Sequence, residues 1–102
     1  MANILLVDDS RTSRKILRNI LESEGHTIVD EATDSEQAIE KYIASKPDII
    51  TLDITMPVMD GIEALKQIKA VDSDAKVVMV SASSQKDKLI EAVKYGAEDF
   101  IA

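Results

Sequence analysis

Ile4-Leu5-Leu6-Val7-Asp8-Asp9-Ser10 decides how this chain is read. Four consecutive apolar residues suit a buried strand and are too short for a buried helix, and they run straight into two carboxylates. Downstream, Ile16, Leu17, Ile20 and Leu21 recur at helical spacing, and Gly25 stands where a helix C-cap is expected. Thr27-Ile28-Val29 reads as a second strand. Asp34 with Gln37 resembles an N-cap pair, Ala38, Ile39, Tyr42 and Ile43 follow on one helical face, and Pro47 ends that helix. Ile49-Ile50-Thr51-Leu52 forms a third strand that runs into Asp53. Asp60 with Glu63 marks a third helix carrying Ile62, Leu65 and Ile68. Val77-Val78-Met79-Val80 is a fourth strand ending at Ser81. Leu89, Ile90 and Val93 mark a fourth helix that stops at Gly96, and Phe100-Ile101 closes the chain.

The pattern βαβαβαβαβ predicts a parallel sheet with helices on its faces, because parallel neighbours need a crossover and that crossover is nearly always right-handed. Strands that are continuous apolar runs fit a sheet covered on both sides. At 102 residues the chain is expected to form one domain over 1–102. Hydrophobic residues at 45% and charged residues at 30% supply one core and a charged surface. A net charge of −7 repels nucleic-acid phosphates, and 3% aromatic content leaves no base-stacking platform, so nucleic acid is not an expected partner. The absence of cysteine removes disulfides and thiolate metal sites. No basic leader precedes Ile4 and no apolar run approaches a ~20-residue span, which points to a cytoplasmic chain with no membrane partner.

In open α/β sheets ligands bind outside the carboxyl ends of the strands. Those ends carry Asp8-Asp9, Asp53 and Ser81. Carboxylates brought this close resist ionising together unless a cation joins them, and a hard divalent ion with oxygen ligands, Mg2+, answers that need while keeping open positions. Singly, each residue has an ordinary role: Asp8 or Asp9 as a cap or turn residue, Asp53 as a strand end, Ser81 as a turn hydroxyl. Three strand ends on one rim ask more of coincidence. With glycine only at 25, 61 and 96 there is neither a P-loop nor a G-x-G-x-x-G fingerprint. A phosphoryl group therefore fits this rim only with a bridging cation. His26, the single histidine, lies far from the rim in sequence. Arg11, Arg14, Lys15 and Arg18 form a basic stripe on the first helix, either a solvated face or a surface for an acidic partner.

Leu6-Val7-Asp8-Asp9-Ser10, Leu52-Asp53-Ile54-Thr55-Met56-Pro57-Val58-Met59-Asp60-Gly61, Val80-Ser81-Ala82 and Gly96-Ala97-Glu98-Asp99-Phe100-Ile101 together resemble the receiver domains of two-component response regulators, nearest to the CheY-like chemotaxis type. The likeness implies a flavodoxin-like, doubly wound five-stranded sheet of order 2-1-3-4-5. It implies Asp53 as phosphoacceptor for a phosphohistidine of a CheA-like histidine kinase. It also implies Mg2+ bound directly by Asp9 and through water by Asp8, with Asp53 and the backbone carbonyl of Thr55 completing the set. Ser81 takes the place of the hydroxyl that bonds the phosphoryl oxygens, so Asp53 and Ser81 carry the chemistry. Ser81 and Phe100 form the switch pair, and Thr55 and Ser83 stand at positions that tune phosphoryl loss. The implied activity is a signalling switch with an output target such as a flagellar switch protein, and not a turnover enzyme.

The family continues past its last strand with a Lys-Pro pair and a fifth helix, whereas this sequence stops at Ala102. A receiver without them is expected to bind Mg2+ yet accept phosphate poorly, with Lys86 and Lys88 as weak substitutes for the lysine and Lys94 ill placed within the fourth helix. It is also expected to leave part of one sheet face bare, inviting a homodimer or strand exchange. Two other functions stay open at this point. One is a degenerate receiver that acts as an interaction module. The other is a Mg2+-dependent phosphohydrolase with an Asp nucleophile, although such enzymes resemble an Asp-x-Asp arrangement on the first strand.

Overall fold

In the computed structural model, residues 2–53, 61–80, 96–97 and 99–101 are described. Along them run β1 (Asn3–Val7), α1 (Arg11–Ser23), β2 (Thr27–Ala32), α2 (Ser35–Ser45), β3 (Ile49–Asp53), α3 (Gly61–Val71), β4 (Val77–Val80) and β5 (Asp99–Ile101). The strands form one sheet of order β2-β1-β3-β4-β5, and every neighbouring pair is parallel. This is the doubly wound, flavodoxin-like order expected from the resemblance. The direction of winding reverses between β1 and β3, the point where such sheets open a crevice. The Asp60 cap and the helix expected around Leu89, Ile90 and Val93 lie outside the described residues.

Local chemistry sets the helix ends. Ser10 caps α1, its Oγ accepting from the Ser13 N–H at 3.2 Å. The helix closes in a Schellman arrangement: the Gly25 N–H donates to Glu22 O at 3.0 Å and the His26 N–H to Leu21 O at 3.1 Å. Gly25 supplies the required positive φ of 90°. Asp34 caps α2 through the Gln37 N–H at 2.8 Å, but Gln37 reaches back to Thr33, accepting from its N–H and its hydroxyl.

Two apolar layers sandwich the sheet. Leu5, Val7, Ile50, Leu52, Val77 and Met79 pack with α2 and α3 through Ala38, Tyr42, Leu65 and Ile68. On the other face Ile4, Leu6 and Ile28 meet Leu17 and Leu21 of α1. The apolar stripe on α1 is wider than the surface it covers: Ile16 and Ile20 are 54% and 52% exposed. Residues i and i+1 lie about 100° apart on a helix, so only the Leu17–Leu21 row faces the strands. In α2, Ile43 is 54% exposed for the same reason, while Tyr42 beside it is buried.

The second strand is longer than its apolar run predicts, extending through Asp30 and Glu31 to Ala32. Its register against β1 shifts: Ile4 pairs with Ile28, Leu5 with Asp30, Leu6 with Glu31 and Val7 with Ala32. Val29 is thus an extra residue, a bulge that exchanges the faces of everything after it. Asp30 shares the Leu5 face, beside α2, where its Oδ1 meets Lys41 Nζ at 3.3 Å. Glu31 shares the Leu6 face, beside α1, and pairs with Arg14 and Arg18.

Tyr42 joins α2 to the end of α3, its hydroxyl donating to Asp72 Oδ2 at 2.9 Å. Burial, followed by the Asp72 hydrogen bond and the charges of Asp72 and Asp74, pushes the phenol up to about 12. The folded value exceeds the unfolded one near 10, so this stabilisation is complete below pH 10 and is lost as pH rises towards 12. Tyr42→Phe should cost about 1 kcal/mol at neutral pH. Urea unfolding curves should show the gap between the two proteins narrowing across that alkaline window.

Candidate functional site

Asp8 follows Val7 at the end of β1, and Asp53 closes β3. Because Val7 lies beside Leu52, both acids emerge at one rim, and Asp9 follows directly. One carboxylate oxygen from each of Asp8, Asp9 and Asp53 lies within 4.8 Å of the others. Asp8 is 4% exposed, Asp53 half-buried and Asp9 open to solvent. The Asp8 N–H donates to Ala32 O at 3.0 Å, and its Oδ1 accepts from the Ser10 N–H at 2.8 Å. Arg14 Nη1 donates to the Asp8 backbone carbonyl at 2.8 Å.

Burial, with the neighbouring Asp9 charge, raises the Asp8 carboxyl above the ordinary carboxylate range, and the Ser10 N–H and the Arg14 charge offset this only in part. Three hard oxygen donors, one buried and one facing solvent, make a donor set suited to a hard divalent cation. A cleft of about 170 Å³ continues from Asp8 and Asp53 along the α1 face, lined by Ser13, Ile16, Leu17 and Val80.

The structure therefore brings together Asp8, Asp9 and Asp53. Thr55, Ser81 and Ser83 lie outside the described residues, as do Lys86, Lys88 and Lys94. Phe100 sits on β5 opposite Met79. His26 is at the far end of β1, where its Nδ1 accepts from the Ala2 N–H at 3.0 Å. The basic stripe of α1 is not simply a solvated face, since Arg14 and Arg18 both engage Glu31 and Arg18 also meets Glu22 at 3.5 Å. Reading the sequence misses Glu31 as a neighbour of the rim. Its only signal is the pair of arginines four residues apart, and the bulge that turns Glu31 towards them leaves no apolar signature. No described helix is long and apolar enough to cross a membrane.

A parallel sheet with acids gathered at its switch point is the architecture of a receiver, and comparison with known proteins agrees. The sequence profile of the response regulator receiver domain matches residues 4–102. The chemotaxis protein CheY of Thermotoga maritima is 47% identical over 98 residues, spanning 96% of this chain and 82% of that protein. A LuxR-family two-component response regulator from Aurantimonas superposes with a TM-score of 0.93 at 32% identity, over 98% of this chain and 72% of that one. CheY in the CheX-CheY-BeF3-Mg2+ complex of Borrelia burgdorferi gives 0.92 at 44% identity, over 98% and 76%. The chain belongs to the response regulator receiver family and is of the CheY-like kind, a class of two-component signalling domain.

The raised Asp8 carboxyl has a consequence for stability. A folded value above the unfolded one favours the protonated fold, a contribution present below the ordinary value of 3.8 and lost as pH rises through the folded value. Asp8→Asn keeps an acceptor for the Ser10 N–H and removes a charge. In chelator at neutral pH it should melt at a higher temperature than the native protein. Calorimetry should find that gain vanishing below about pH 3, where the native carboxyl is already neutral.

Proposed function

We propose that this chain is a phosphorylation-controlled switch in which Asp53 accepts a phosphoryl group from the phosphohistidine of a CheA-like histidine kinase, with Mg2+ held by Asp8, Asp9, Asp53 and the backbone carbonyl of Thr55. The observation that carries the reading is the convergence of the Asp8, Asp9 and Asp53 carboxylates within 4.8 Å at the switch point of a receiver fold. An Asp53 oxygen forms the new bond to phosphorus while the phosphorus–nitrogen bond breaks, and the departing imidazole keeps the electron pair and takes up a proton. When bound, Mg2+ supplies charge neutralisation for the phosphoryl oxygens in transfer. Asp9, open to solvent, would hold the ion directly, and Asp8, which is buried, would hold it through water.

Ser81 hydrogen-bonds the phosphoryl oxygens, and Phe100 follows Ser81 as the packing element of the switch, since phenylalanine has no hydroxyl to bond with. Thr55 and Ser83 tune how long the phosphoryl group stays. These four assignments rest on the match of each position to the receiver motif. Support for the phosphoryl and cation chemistry comes from the Borrelia relative, a CheY in complex with CheX, beryllofluoride and Mg2+. The charge gained at Asp53 biases a two-state surface read by a chemotaxis target such as a flagellar switch protein in the cytoplasm. One phosphoryl group per chain, and not steady turnover, is the working cycle.

Acetyl phosphate with Mg2+ should label a detectable fraction of the chain, never beyond one phosphate per molecule by intact mass. Asp53→Asn or chelation should abolish the label, and Asp9→Ala should abolish Mg2+ binding in calorimetry. Continuous phosphate release from a small ester would instead identify a hydrolase.

A further inference from the structure

We infer that Arg14 is a positioning residue of the acidic centre: anchored by Glu31, it pins the peptide between Asp8 and Asp9 and so fixes where the Asp9 carboxylate points. The inference rests on the proposed reading of Asp8, Asp9 and Asp53 as the cation cradle. Arg14 is the one cation described here that joins the β2 side of α1 to the backbone of the rim. Its Nε donates to Glu31 Oε1 at 3.1 Å, and its Nη1 donates to the Asp8 carbonyl at 2.8 Å. Its side chain is only 16% exposed, so the guanidinium is held by packing as well as by its partners.

That carbonyl belongs to the Asp8–Asp9 peptide. On the Asp8 side the backbone is fixed by the Asp8 N–H on Ala32 O, and the side chain by the Ser10 N–H. The plane of the following peptide, which aims Asp9, is set by the Arg14 bond. Arginine suits the task because its rigid planar fork fixes the angle between its two partners, the Glu31 carboxylate and the Asp8 carbonyl. Glu31 reaches this position only because the Val29 bulge turns it towards α1.

Two plainer accounts make different forecasts. If Arg14 were merely a strap between α1 and β2, Arg18 would be its equal, since Arg18 also pairs with Glu31 while, among the described residues, Arg14 is the arginine that bonds the Asp8 carbonyl. If Arg14 acted only by its charge, removing it would tighten the binding of a divalent cation, because like charges repel. Loss of positioning instead weakens binding, as outer-shell changes at metal sites commonly do.

The test is Mg2+ titration calorimetry on the full chain at about pH 8, well above the carboxylate range. It is run on wild type, Arg14→Met, Arg18→Met and Glu31→Gln, with a melting temperature for each. Arg14→Met should weaken Mg2+ by about tenfold. Arg18→Met should lower the melting temperature yet leave the Kd within about twofold, and Glu31→Gln should weaken binding by a few-fold, roughly midway between them. An unchanged or tighter Kd in folded Arg14→Met overturns the inference, and so does an equal loss in Arg18→Met. Should Arg14→Met not fold, an unchanged Kd in Glu31→Gln overturns it. Wild type that binds Mg2+ beside an unaffected Arg14→Met removes Arg14 alone; wild type with no Mg2+ affinity removes the cradle, and this role with it.

Discussion

Repulsion among Asp8, Asp9 and Asp53 is the constraint around which the upper rim is organised, since their oxygens approach within 4.8 Å and one of the acids is almost fully buried. The fold does not relieve this repulsion; it enforces it. β1 and β3 must be neighbours for the winding to reverse between them, and both strands are buried on two faces, so neither can slide to separate its terminal acid. At Asp8 the compensation among the described residues comes from one N–H of Ser10 and from the charge of Arg14, whose direct bond goes to the peptide carbonyl and not to the carboxylate. Three acids gathered in this way suit a cation, which under the proposed function would precede the phosphoryl group.

The lower rim shows the opposite economy. Asn3 and Asp48 exchange two bonds, the Asn3 N–H to Asp48 Oδ2 and the Asp48 N–H to Asn3 O, each at 2.8 Å. Tyr42 holds Asp72, and Lys69 Nζ donates to Ala75 O at 2.5 Å, closing the turn into β4. Helices antiparallel to the strands bring their C-termini to this end, which is why the ties between α2, α3 and the loops gather here. These ties brace the end of the sheet opposite the acids, the usual partition between scaffold and site.

Much of this was legible in the residues. The apolar runs at 4–7, 49–52 and 77–80 gave three central strands, and their C-terminal neighbours gave the acids, because a strand buried on both faces needs no alternation to be seen. Legibility failed where charge replaced apolarity. Asp30 and Glu31 belong to β2, an edge strand whose outer residues need not be hydrophobic, so the run seemed to stop at Val29. Ile16, Ile20 and Ile43 failed differently: periodicity reports that a face is apolar but not how wide a strip its neighbour covers. The stripe of arginines on α1 was visible, but its purpose depended on a register that sequence does not display.

That register is itself written in charge. Without the extra residue at Val29, Asp30 would turn to α1 and Glu31 to α2, each towards a face whose cations are placed for the other. As folded, the Glu31 N–H donates to Asp30 Oδ1 at 2.8 Å across the bulge, and Lys41 Nζ donates to Glu31 O at 2.5 Å. Lys41 thereby holds the bulge from the α2 side, while Arg14 and Arg18 take the Glu31 carboxylate on the α1 side. The partly exposed Lys41–Asp30 and Arg18–Glu31 pairs contribute about 0–1 kcal/mol each, too little to explain them as a source of stability. Their value is in choice: a slip of one residue would forfeit all of them together and break the Arg14 link between β2 and the Asp8 carbonyl. The edge strand is therefore tied to the acidic rim by a register that hydrophobic burial alone would not select.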